Sequence, residues 1–351
     1  MQFILFVGAG NSLADAEVKA QIPSVRTLWP LAYSFDASDL NETISLVSKL
    51  GSSLKLLVEA ESGDVTASKI SGLIKTKNFS ISSFKPLPAL AEIQHQVKSL
   101  LPQSRFVSSK DQFGLSPVLI TKQKVTEIFI DESSQKLFQT VWVHDFKHWI
   151  DKDRHMPRVN ARAGMLPPKI ARTMINLIPM DPKGKTLLDP FCGSGRVLIE
   201  ASEMGYEVIG LDISQDQVND TLANLKHMNV SANIQVHDAA HASEILSQEI
   251  DLIVTEPYLG KPNLRLDQSE YAVIGLKKLY LGALKDWLKV LKPGGYIVMV
   301  FPILPGVKTD YATSKVIDDK HLLGYNQLSR GLIYSRPEAG IKREIVILQK
   351  Q

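Results

Sequence analysis

The sequence predicts an α/β protein: a doubly wound, mainly parallel sheet in the C-terminal half, preceded by a smaller α+β region. Three observations carry that expectation. Beyond residue 169, strand-like runs alternate with helix-like runs. Those strand runs are apolar on both faces, as strands of a covered parallel sheet must be. The first half shows the same two periods in a shorter, less regular order, which suggests α+β modules rather than one large sheet.

Taken in order, Gln2–Gly8 is a buried-strand run. A Gly/Asn turn leads to helical spacing over Ser12–Ile22, with Asn11 or Ser12 able to cap its first free N–H groups. Leu40–Leu50 reads as a helix and Ser53–Ala60 as a strand. Lys77–Phe84 alternates like a strand, and Ala89–Leu101 places Leu90, Ile93, Val97 and Leu100 on one helical face. Arg105–Ser109, Thr126–Asp131 and Phe138–Phe146 look like further strands. Residues 151–168 are polar, basic and proline-containing, which suits a connector. In the second half Thr186–Phe191, Glu207–Ser214, Asn233–Ala239, Ile250–Tyr258 and Gly295–Pro302 read as strands. Helical spacing lies between them over Gly193–Gly205, Asp216–Asn229 and Tyr271–Leu291. Lys292–Gly295 reads as a tight turn into the fifth strand.

The composition excludes several classes. With 351 residues, 44% of them hydrophobic and 22% charged, the chain is neither disordered nor fibrous and has room for two or three domains. Its single cysteine, Cys192, excludes a disulfide scaffold and a four-cysteine zinc site, and suggests a reducing compartment. No apolar run reaches the ~18–20 residues that span a bilayer, and the N-terminal run reads as a strand rather than a signal peptide. A cytoplasmic protein is the expectation. The net charge is only +3, but Lys69–Lys110 holds seven basic side chains against the single acid Glu92. Residues 151–172 hold six basic side chains against two acids. Local basic surfaces of this kind suit a polyanion.

Leu188–Gly195 (LDPFCGSG) sits at the carboxyl end of the first strand of the expected parallel sheet, where ligands of open α/β sheets bind. Gly193 and Gly195 allow close backbone approach, and the next helix offers free N–H groups. The third glycine of a dinucleotide loop is replaced, and there is no G-x-x-x-x-G-K-[ST] loop for phosphate. Instead, Asp189, Asp212 and Asp238 end three successive strands. Carboxylates converging there suit a cationic ligand bearing hydroxyls and an amine. S-adenosylmethionine meets that description: its ammonium near the glycine loop, its ribose diol on Asp212, its adenine amine near Asp238. Phe191, Ile213 and Ala239 would complete the donor site.

Asp189–Ala201 (DPFCGSGRVLIEA) resembles the first motif of Rossmann-like methyltransferases that act on exocyclic base amines. Arg162–Leu177 resembles the segment preceding that motif in THUMP-domain tRNA methyltransferases, and Gly331–Leu348 is similar to their closing hairpin. The nearest likeness is to the guanosine-N2 methyltransferases of tRNA position 10. The resemblance implies a ferredoxin-like module over 1–65, a THUMP-like RNA-binding domain over 66–150, a basic linker over 151–168 and a class I methyltransferase domain over 169–351. It is specific over 162–212 and looser before residue 80.

The family ends its fourth strand with [D/N]-P-P-[Y/F]. The first side chain and a proline carbonyl accept hydrogen bonds from the target amine, and the aromatic ring stacks on the flipped base. This sequence has Thr255-Glu256-Pro257-Tyr258. Three readings stay open. Glu256 supplies the acceptor one residue late, although on a regular strand it would face the other way; Thr255 accepts through its hydroxyl, a weaker partner than a carboxylate; or the site binds the donor without efficient amine methylation.

The expected function is S-adenosylmethionine-dependent RNA methylation, on an exocyclic guanosine amine of tRNA. Lys69, Lys75, Lys77, Lys85, Arg105, Arg154, Arg158 and Arg162 would lie on phosphates, and no metal is required. The resemblance leaves room for a small activator subunit. The rivals are a DNA amine methyltransferase and a non-catalytic RNA-binding protein that retains the fold. The histidines, His237 and His241 included, lack partners at metal-ligand spacing and read as surface or packing residues.

Overall fold

An unbroken apolar run must be covered on both faces, and Gln2–Val7 (β1) meets that demand with five of its six residues buried. The computed structural model describes all residues except 9–11, 110–112, 159–164, 248, 262–267, 307–308, 319–321, 323 and 336–340. The chain divides into two units, Met1–Ala14 with Ile22–His148 and Asp15–Gln21 with Trp149–Gln351.

After β1 come α1 (Ser12–Gln21), β2 (Arg26–Trp29), β3 (Ala32–Asp36), α2 (Leu40–Ser48) and β4 (Ser53–Ser62). The four strands are antiparallel in the order β2-β3-β1-β4, a ferredoxin-like arrangement. α2 begins where the Asp39 carboxylate accepts from the Glu42 N–H at 2.8 Å. Next come α3 (Ala67–Leu73), β5 (Asn78–Ser83), α4 (Leu90–Leu100), β6 (Arg105–Phe106), α5 (Pro117–Gln123), β7 (Val125–Asp131) and β8 (Lys136–Val143). Here β6 and β7 flank β5 in parallel, and β8 returns antiparallel to β7.

One expectation is corrected. The modules do not form separate sheets: β4 pairs antiparallel with β8, and a single eight-stranded sheet runs from β2 to β6. Two exposed strand edges would each leave a row of unpaired N–H and C=O groups, and joining them removes both. β2 escapes the sequence pattern for a related reason. Arg26, Thr27 and Leu28 are exposed on an edge strand, so no apolar alternation marks them.

The second unit contains α6 (Phe146–Arg154, shared across the division), α7 (Pro168–Asn176), β9 (Thr186–Asp189), α8 (Arg196–Met204), β10 (Glu207–Asp212), α9 (Gln215–His227) and β11 (Asn233–Val236). It continues with β12 (Ile250–Thr255), α10 (Ser269–Val290), β13 (Leu291–Leu304), β14 (Tyr311–Ala312), β15 (Tyr325–Tyr334) and β16 (Lys342–Lys350). Its sheet runs β11-β10-β9-β12-β13-β16-β15, the first five strands parallel, β16 antiparallel to β13 and β15 antiparallel to β16. Lys292–Gly295 lies inside β13 as an irregularity of register: Ile250 faces Leu291 while Leu252 faces Tyr296. Residues 151–154 of the expected connector belong to α6.

The strand order turns back on itself at β9, which sits between β10 and β12. That makes the β9/β12 boundary the switch point of the sheet, where a crevice opens beyond the strand ends. One wall is held by α10. Trp287 is fully buried and donates its indole N–H to the Ala239 carbonyl at 2.9 Å, while Tyr280 meets Phe301 edge-on. No described helix is long and apolar enough to cross a membrane.

Candidate active site

Two strand tips meet at the switch point. β9 ends at Asp189 and β12 at Thr255, both buried, and the Thr255 hydroxyl donates to Asp189 Oδ1 at 2.6 Å. The Phe191 N–H donates to the same oxygen at 3.2 Å. Burial pushes the Asp189 carboxyl up to about 7. The hydrogen bonds from Thr255 and Phe191 oppose that rise, and the charges of Asp212 and Glu256 add to it.

The glycine loop follows. Gly193 and Gly195 have φ of 51° and 83°, a left-handed region where a Cβ is strained, and a Cβ on Gly195 would lie 3.1 Å from Thr221. The loop is tied to β10 and α9. Gly193 N–H donates to Asp212 Oδ2 at 3.0 Å, and Ser214 N–H donates to Asp212 Oδ1 at 2.9 Å. Thr221 donates to the Gly193 carbonyl at 2.6 Å, and the Asn224 amide donates to the Ser194 carbonyl at 2.9 Å. Each oxygen of Asp212 is thereby aimed, with acceptor capacity to spare for a diol. Cys192 is buried and burial pushes its thiol upward, so it packs the loop rather than acting as a nucleophile.

Asp238 lies two residues beyond β11 and caps a short 3₁₀ turn through the Ala240 N–H at 2.9 Å. Its other oxygen pairs with His241, whose backbone carbonyl meets His237 Nε2, so both histidines belong to this turn. Ala239 is buried under Trp287. Phe191 meets the Trp287 ring edge-on at 6.3 Å, and Ile213 is 75% exposed. The strand tips thus present carboxylates beside a loop of free approach, and this donor set fits a cationic nucleoside.

On the acceptor side, Pro257 is buried and Tyr258 is 54% exposed. Tyr280, on the buried face of α10, donates its hydroxyl to the Tyr258 carbonyl at 2.7 Å. Glu256 does not stand alone. The Arg343 Nε on β16 donates to Glu256 Oε1 at 2.5 Å. Thr255 spends its hydrogen on Asp189, inside the structure. Sequence reading missed Arg343, Tyr280, Thr221 and Asn224. The fold brings Thr221 and Asn224 to the glycine loop, and Arg343 and Tyr280 to the acceptor segment.

Residues 155–322 match the model of the RMKL-like methyltransferase domain. A DNA methylase model matches 67–223. The chain is 32% identical over 163 residues to a tRNA (guanine(10)-N2)-dimethyltransferase of Methanocaldococcus jannaschii, covering 44% of this chain and 43% of that protein. It is 36% identical over 140 residues to the enzyme of the same name from Methanothermobacter thermautotrophicus, covering 40% and 39%. The matched residues 155–322 lie within the second unit. The matches span about two fifths of the length of those two relatives. The solved structure of TrmN from Thermus thermophilus covers all of both chains at a TM-score of 0.57 and 16% identity, a likeness of fold.

The basic residues fall into separate places. In the first unit, Lys75, Lys77 and Arg105 are exposed at the starts of β5 and β6, and Arg105 N–H donates to the Lys77 carbonyl at 2.7 Å. Lys122 and Lys124, both exposed, stand before β7 at that same end, an addition the sequence order concealed. Lys85 follows the far end of β5, and Lys69 donates to the Ser62 carbonyl. In the second unit, Arg154 is exposed, and Arg158 lies 3.5 Å from Asp220. The Arg158 backbone N–H donates to Asn224 at 2.9 Å. Arg162 lies outside the described residues.

Proposed function

We propose that this protein is an S-adenosylmethionine-dependent RNA methyltransferase acting on an exocyclic guanosine amine of tRNA, in the cytoplasm. One observation carries the reading: the 2.6 Å hydrogen bond from Thr255 to Asp189 joins the tip of the donor strand to the first residue of the acceptor segment. Donor and acceptor subsites are therefore neighbours at one switch point. Asp189, Phe191, Gly193, Gly195, Asp212, Ile213, Asp238 and Ala239 would hold the donor, which supplies an electrophilic methyl when bound. The acceptor segment, Thr255–Tyr258, does the orienting. The Tyr258 ring offers a face for the flipped base, and Pro257 and Glu256 offer acceptors for the amine hydrogens.

The first unit, read as a THUMP-like module beside a ferredoxin-like one, would take the RNA. Lys75, Lys77 and Arg105 would lie on phosphates with Lys122 and Lys124, and Lys69, Lys85, Arg154, Arg158 and Arg162 would extend the contact. The relatives give no support to a small activator subunit, and it is no part of the proposal. The DNA methylase match favours one second reading, methylation of a DNA base amine. Transfer of labelled methyl to total tRNA and to duplex DNA separates the two. Label in tRNA alone supports the proposal. Label in DNA alone supports the second reading, and donor binding with no transfer supports a non-catalytic RNA-binding protein.

A further inference from the structure

The acceptor segment departs from the family at two positions at once, and the structure shows what each replacement does. Thr255 stands where the family has its acid or amide, yet its side chain is fully buried and donates to Asp189. Glu256 stands where the family has its first proline, and it meets Arg343. β12 ends at Thr255, so the two-residue alternation that would send Glu256 to the opposite face no longer binds it. Arg343 is itself firmly placed. Its side chain is 7% exposed, its backbone lies opposite Pro302 on β13 and Tyr334 on β15, and its guanidinium lies 5.9 Å from the Tyr334 ring centre.

The strands on either side, β13 and β15, and an aromatic ring therefore fix the cation, and the cation fixes the carboxylate. A carboxylate accepts from several N–H donors at once, so a carboxylate held in place by a guanidinium is a suitable acceptor type for an amine. Resting on the function proposed above, we propose that Arg343 is the positioning residue of the acceptor site: it holds Glu256 as the charged acceptor for the target amine, one residue later than the family's acid. The orienting role has moved along the chain, and a partner on β16 came with it.

The test compares the full-length wild type with Arg343→Ala, Arg343→Gln, Arg343→Lys, Glu256→Gln and the double variant Glu256→Gln/Arg343→Ala. S-adenosylmethionine affinity, tRNA affinity and transfer rate to tRNA are measured for each. The expected result is a kcat lower by about 10- to 100-fold in Arg343→Ala, the size of a misplaced reacting group. KM for tRNA and donor affinity stay within about threefold, and Arg343→Lys recovers part of the rate. In the Glu256→Gln background the alanine change adds less than about twofold, because the residue acts through Glu256. Arg343→Gln gives the same comparison where alanine prevents folding. An undiminished loss in the Glu256→Gln background marks a structural role and overturns the inference. So does a wild-type rate in Arg343→Ala. A wild-type chain that binds the donor and methylates no tRNA overturns the proposed function first, and the inference with it.

Discussion

Thr255 donates its hydroxyl to Asp189 Oδ1 at 2.6 Å, across the one point where the parallel sheet reverses its strand order. A fully buried hydroxyl and a buried carboxylate share that bond, so the residue at the motif's first position serves the donor strand. Restoring the family's acid there is therefore not a repair. Thr255→Asp sets a second carboxylate against a buried one, and like charges at that distance disfavour ionisation of both. The expected outcome is lower thermal stability and no gain in transfer to guanosine, checked by melting temperature and a methyl-transfer assay. Thr255→Val keeps the shape and removes the donor, and should weaken S-adenosylmethionine binding by about tenfold, the worth of a hydrogen bond to a charged group.

Donor affinity should depend on pH around neutrality. Asp189 titrates near 7 in the free protein, chiefly through burial, and an ammonium ligand needs its charged form. Affinity rises roughly tenfold per pH unit up to about 7 and levels above it. Its carboxyl lies above the ordinary 3.8, so the donor-free fold holds a proton that the unfolded chain releases. This group's stabilisation is full below about pH 4 and is lost as pH rises through about 7. Calorimetric titrations from pH 5.5 to 8.5 test the first sign, denaturant unfolding of the donor-free protein across about pH 4 to 8 tests the second, and Asp189→Asn should flatten both.

Asp212 aims its two oxygens through Gly193 N–H and Ser214 N–H. Asp212→Ala removes the acceptor for the ribose diol and unties the glycine loop together. Two charge-assisted hydrogen bonds at about 1.5–3 kcal/mol each put the loss of donor affinity at about 100-fold or more. Isothermal titration of the variant reads it directly; a loss below tenfold would remove Asp212 from the donor site.

The exposed cations at the starts of β5, β6 and β7 predict the salt response of RNA binding. Lys75→Ala with Lys77→Ala should reduce the slope of log affinity against log salt by roughly one to two, and Lys122→Ala with Lys124→Ala by a similar amount. Lys85→Ala, at the far end of β5, should change it less. Filter binding over a salt series checks this, and equal slopes in all variants would displace the RNA surface.

A buried ion network ties α6 and α7 to α8. Lys152 and Arg172 both meet Glu200 on α8 at 2.7 Å, and both also reach Glu203. Glu200→Ala leaves two cations buried against one remaining acid, which should cost about 3–5 kcal/mol of stability. Denaturant unfolding measures it.

What the sequence disclosed, and what it withheld, follows from range. The inner parallel strands β9, β10 and β12 were legible because they bury both faces, and the acids at 189 and 212 were legible because each ends such a strand. The glycine loop was legible because only glycine suits its backbone. Arg343 was not: it lies 87 residues from Glu256, and no local pattern marks a residue whose role is set by a partner on another strand. The expected strand ran on to Tyr258 and in fact ends at Thr255, and the direction of the Thr255 hydroxyl depends on β9 lying beside β12. The single sheet of the first unit was hidden for the same reason, since the β4/β8 pairing joins segments about 80 residues apart.

The most direct test is nucleoside mass spectrometry of tRNA from cells with and without this protein. N2-methylated guanosine should be lost without it, return with the wild-type chain and stay absent with Asp212→Ala. An unchanged tRNA nucleoside profile, or a methyl group lost from DNA instead, would contradict the account.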